Sequence, residues 1–156
     1  MRTKFLLPHK FMRFGWIVLV PSLLLGIWYF ISDYEIEALN VKVFALLNDD
    51  FGPKDFFAVI GNNVTDEILI LLITLGLVLV GFSRTKTEDE YINRVRLESL
   101  VWATYVNVAV LVFSTLFIYG GSYFSVMVVL LLSQLLLFVA KFQIALYKIR
   151  RQGNEE

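Results

Sequence analysis

The chain has no cysteine. That removes disulfides, thiolate metal sites, cysteine nucleophiles and disulfide-exchange chemistry together. Its one histidine, His9, cannot build a His-rich zinc or haem site alone. Charge is scarce as well: 18% of residues are Asp, Glu, Lys or Arg, where soluble domains carry about 25%. The 14 basic and 14 acidic residues cancel, so the chain has no net positive field for nucleic acid, and no direct nucleic-acid binding is expected. There is no phosphate-cradling glycine loop, no Gly-x-Ser-x-Gly and no His-Glu-x-x-His. No Lys, Arg, Asp or Glu lies deep in an apolar run, whereas ion-coupled transporters and proton relays usually need one. These absences argue against an enzyme, and no metal or cofactor is expected.

What is abundant is apolar sequence, at 58% of residues, against 45–50% in soluble domains. A chain of 156 residues cannot hide that excess in a core; lipid can. A bilayer core of about 30 Å needs roughly 20 apolar residues in helical form. Four runs qualify: Phe14–Ile31, Val64–Ser83, Leu100–Tyr119 and Tyr123–Ala140. The first runs out through the bulky, charged IWYFISDYEIE rather than into a small-x-small cleavage site, so it reads as a retained span. Pro21 inside it predicts a kink. None of the runs contains a GxxxG pair, a common signal for helix pairing. The expected fold is all-α: a single membrane domain of four transmembrane helices in a bundle.

The basic residues are segregated. Arg2, Lys4, Lys10 and Arg13 precede the first run. Arg84, Lys86, Arg94 and Arg96 lie between the second and third. Lys141, Lys148, Arg150 and Arg151 follow the fourth, and only Lys42 and Lys54 lie elsewhere. Lys and Arg favour the cytoplasmic side, which predicts both termini inside and an even number of spans. The expected location is a bacterial cytoplasmic (inner) membrane. Trp16 and Trp102 fall at the inner interface on this reading, and Trp28, Tyr29, Tyr34, Tyr119 and Tyr123 at the outer one.

The outer loop, residues 32–63, is acidic. Leu39–Ala45 alternates apolar and polar with the strand period, Lys54–Ile60 can be its antiparallel partner, and Asn48–Pro53 is turn-rich. That pattern favours a small hairpin on the membrane surface. A short helix with Pro53 in its first turn and Gly61 after its end is the rival. The loop acids lack EF-hand spacing and read as a solvated segment. Asn63-Val-Thr matches a glycosylation sequon, a pattern short enough to arise by chance. Asn63 or Thr65 can cap the second span.

The inner segment Ser83–Ser99 is the most informative polar stretch. Thr87-Glu-Asp-Glu90 fits a capping box, which starts a helix near Thr87 and runs it unbroken into the third span. Glu90 and Arg94, then Arg94 and Glu98, are four apart and support a solvated helix by about 0.2–0.5 kcal/mol each. This extension, residues 87–99, is either a charge-laced helix end or a docking surface for a soluble cytoplasmic protein. The docking residues would be Glu88, Asp89, Glu90, Arg94, Arg96 and Glu98. Within the membrane, Asn107 and Gln134 lie at similar depth on helices joined by the tight Gly120-Gly121 turn, with Thr104 one helical turn from Asn107. Interhelical hydrogen bonding is favoured over a substrate path.

Phe82-Ser-Arg84, Lys86, Glu88-Asp-Glu90, Arg96-Leu-Glu-Ser-Leu100 and Tyr105-Val-Asn107 together resemble an uncharacterised family of small four-helix bacterial membrane proteins, often encoded beside a small helix-turn-helix regulator. The resemblance extends over most of the chain. It implies no catalytic residues and raises the weight of the docking reading. The leading expectation is a multi-pass membrane protein, non-enzymatic, that holds a soluble cytoplasmic regulator. The alternative is a small transporter or channel subunit with a polar path through Asn107 and Gln134.

Overall fold

The computed structural model describes residues 5–32, 36–48, 55–86 and 89–152. In chain order the elements are α1 (Lys10–Ser32), a 3-10 turn (Glu37–Leu39), β1 (Asn40–Asn48), β2 (Asp55–Asn63), α2 (Thr65–Gly81), α3 (Glu90–Phe117) and α4 (Gly121–Gln152). The fold is therefore mostly helical with one small two-stranded sheet. Helices α1, α3 and α4 are long and apolar enough to cross a membrane; α2 has 17 residues. α1 is continuous through Pro21.

All four helices differ from the expected bounds, and for α2 and α4 contacts give the reason. α2 stops at Gly81 because the next residues leave the helix to pair with the N-terminal segment. The Leu7 amide donates to Phe82 O at 2.9 Å, and the Arg84 amide donates to Leu7 O at 2.9 Å. α4 continues well past Ala140. Phe138, Phe142 and Leu146, four apart, are buried, so one stripe holds the helix in contact while its basic end stays exposed. Arg150 and Arg151 in the last turn also meet the negative end of the helix dipole.

The chain divides into two compact units, residues 1–19 with 74–156, and residues 20–73. In the first unit the core is built on Leu19, Leu77, Val80, Phe138 and Phe142. Glycine sets how close its helices come. A Cβ on Gly76 would lie 2.8 Å from Leu19 Cβ and 2.9 Å from Leu19 Cα, and one on Gly81 would lie 2.6 Å from a Phe138 ring carbon. Contact between helices through glycine thus occurs without a GxxxG pair. α3 and α4 form a helical hairpin, turned at Gly120, whose φ of +72° suits a residue without a Cβ.

The second unit contains the hairpin, so the alternation in Leu39–Ala45 reports real strand structure and the rival helix is excluded. β1 and β2 are antiparallel, with Asn40 opposite Asn63 and Phe44 opposite Val59. The expected turn around 49–54 lies outside the described residues. Phe57 has a φ of +57°, unusual for a bulky residue, and the register runs from Ala45↔Ala58 to Leu47↔Phe56 without a pair between them. At the hairpin base Asn63 links three elements. Its Nδ2 donates to Ile36 O at 3.0 Å and to Asn40 Oδ1 at 2.9 Å, and its Oδ1 accepts from the Thr65 amide at 3.0 Å. Asn63 therefore caps the start of α2 and closes the sheet with one side chain.

Candidate functional site

The N-terminal third of α3 carries the sequence-derived docking residues. Its cap lies two residues beyond the expected Thr87. Asp89 is the N-cap, its Oδ1 accepting the Ile92 amide at 2.9 Å, while Thr87 and Glu88 lie outside the described residues. From there the helix runs without a break to Phe117.

The helical period then sorts the charges. Ile92, Val95, Arg96, Ser99 and Ala103 are buried, whereas Glu90, Arg94, Leu97, Glu98 and Val101 are exposed. At 100° per residue these are opposite stripes of one helix. Arg94 and Arg96 are two apart and cannot share a face. Arg96 turns inward, where Nη1 donates to Asn93 Oδ1 at 3.1 Å and Nη2 donates to Ser83 O at 3.2 Å. Its guanidinium also lies 4.8 Å from the centre of the Phe142 ring. Arg96 thus ties α3 to the end of α2 and to α4, and the outward charges are Asp89, Glu90, Arg94 and Glu98. Glu98 stands at the edge of a shallow hollow of about 390 Å³, otherwise lined by Leu97, Val101, Trp102 and Tyr105.

The second candidate lies between α3 and α4. Asn107 Nδ2 donates to Gln134 Oε1 at 3.1 Å and to Leu130 O at 3.2 Å. Gln134 Nε2 donates in turn to Thr104 Oγ1 at 2.9 Å. Ser133 joins the group, its hydroxyl lying 3.0 Å from Asn107 Oδ1 and 2.9 Å from Leu130 O. Sequence spacing brings Thr104, Asn107 and Gln134 to one depth. Ser133, adjacent to Gln134, carries no separate signal, because a serine in an apolar helix more often bonds its own backbone. The amides bond one another and a backbone carbonyl, as interhelical contacts in lipid do. Lys141 Nζ sits 4.8 Å from the Trp102 ring centre, a further contact along the same helical hairpin.

His9 donates through Nδ1–H to Arg84 O at 2.9 Å, because a carbonyl can only accept. The histidine thus anchors the segment that ends α2. No protein-family model matches this chain, and comparisons with curated proteins and with solved structures find no match.

Proposed function

We propose that the chain is a four-span protein of a bacterial cytoplasmic membrane, with both termini inside, that holds a soluble cytoplasmic protein on the N-terminal third of α3. The observation carrying the docking role is the outward Glu90–Arg94–Glu98 stripe on a helix whose opposite stripe is buried. The stripe is held rigidly, because α3 continues unbroken toward Phe117. Its acid–base–acid order fits a partner helix carrying the complementary charges. A small regulator, as the family resemblance suggests, is the partner proposed.

Support for the membrane reading comes from exposed side chains. Ile17 is 69% exposed, Phe30 78% and Leu131 77%, which in water would be an aggregation surface. α2 is included as a span because 17 residues is at the lower limit for crossing the bilayer. Support for the orientation comes from the first unit, where the N-terminal segment pairs with Phe82 and Arg84. Two of the three basic segments therefore meet at one end of that unit.

Two experiments test this. A photo-crosslinker at position 94 or 98, in native membranes, should capture one soluble protein, and Arg94→Glu should abolish the product obtained from position 98. Only lipid adducts, or a product unchanged by Arg94→Glu, would refute docking. For topology, Lys42→Cys and Arg94→Cys should be labelled from opposite sides of the membrane; labelling from the same side would refute four spans.

A further inference from the structure

A cavity of about 570 Å³ opens in the first unit, lined by His9, Arg13, Lys86 and Arg150, with Gln143, Met12 and Trp16 completing the wall. Three separate stretches supply the cationic side chains: the start of α1, the connection after α2, and the last turn of α4. No carboxylate is among the described residues that line it. Like charges gathered by folding repel one another, so an arrangement of this kind is stable when an anion sits among them. Two of the lining groups are guanidinium forks, which match the oxygens of a phosphate in pairs.

The wall also holds an unsatisfied donor. Gln143 Nε2 is buried and has no hydrogen-bond partner among the described residues, a state that native side chains rarely keep. His9, which donates its Nδ1–H to Arg84 O, places its ring in the same wall. Met12 and Trp16 add an apolar flank. Cationic side chains beside an apolar wall, in a helix-rich unit with exposed apolar surface, describe a place for a charged headgroup with hydrocarbon attached. The volume lies in the ordinary range for small-molecule sites.

We infer that this cavity binds a phosphate ester, with Arg13, Lys86 and Arg150 as its cationic contacts and Gln143 as a neutral donor. The phosphate can belong to an acidic phospholipid or to a soluble phosphomonoester. The site does not depend on the docking surface, since Arg94 and Glu98 take no part in it.

The test uses the full chain in detergent, with native mass spectrometry of added phosphatidylglycerol against phosphatidylcholine. The native protein should retain the acidic lipid preferentially. Arg13→Gln/Arg150→Gln should lose roughly fivefold in retention per cation removed, while Arg94→Gln/Lys141→Gln, with the same charge loss elsewhere, should retain it. Gln143→Leu alters no charge and should also weaken retention, which separates a built site from general electrostatic attraction. Thermal melts without lipid show that each variant is folded. Glycerol 3-phosphate, added without lipid, forms the second arm. Stabilisation by it with no preference between the lipids assigns the site to a soluble phosphomonoester, and displacement of phosphatidylglycerol by it assigns the site to the lipid headgroup. The inference is overturned if neither probe binds, or if the Arg94→Gln/Lys141→Gln control loses as much as Arg13→Gln/Arg150→Gln.

Discussion

The Arg96 guanidinium lies 4.8 Å from the centre of the Phe142 ring, while Arg94, two residues earlier, faces outward. One arginine therefore holds the fold and the other is available to a partner. Arg96→Ala removes a ring contact and two charge-assisted hydrogen bonds. It is expected to destabilise the protein by about 2–4 kcal/mol. Arg94→Ala should stay within about 0.5 kcal/mol. Thermal melts in detergent check the pair; equal effects would contradict the inward placement of Arg96.

Asn107→Leu removes the centre of the Thr104–Asn107–Ser133–Gln134 group and takes the Asn107 Nδ2 donor away from Gln134 Oε1. Single interhelical contacts average about 0.6 kcal/mol, so a loss of about 1–2 kcal/mol is expected for the set. Ser133→Ala should cost less, because its single O–H is shared between Asn107 Oδ1 and Leu130 O and donates one hydrogen bond at a time. A variant with unchanged melting but altered flux in liposomes would favour the polar-path alternative over a structural role.

Gly76→Val places side-chain atoms where Leu19 already sits. Overpacking of this kind costs about 1–3 kcal/mol or more. Gly61→Ala is the matched control, since a Cβ there meets nothing within 4 Å. The melting temperature should fall for the first and stay nearly level for the second. Comparable losses at both sites would show that the contact at Gly76 is not tight.

Asp89→Ala removes the cap of α3, at a cost of about 0.5–2 kcal/mol. The effect should be local: amide exchange should quicken over the first turns of α3 and not around Asn107. Uniformly faster exchange along the whole helix would mean that the cap is not what starts it.

Much of this protein was legible without coordinates, because the signals involved are local. Length and apolarity of a run report the desolvation of one segment, which is why α1, α3 and α4 stand out. The period-two alternation of Leu39–Ala45 reports which side chains share a sheet face, and the hairpin follows. The common depth of Asn107 and Gln134 follows from counting turns on either side of a tight Gly-Gly connection. Other features depend on which side of a helix meets which neighbour. A helix apolar all round has no stripe to announce its packing face, so Gly76 against Leu19 is invisible in the sequence. The inward turn of Arg96, the pairing of Leu7 with Phe82 and Arg84, and the cavity shared by Arg13, Lys86 and Arg150 are decided by tertiary contacts. Each joins residues distant in the chain, and no local period or composition records that proximity.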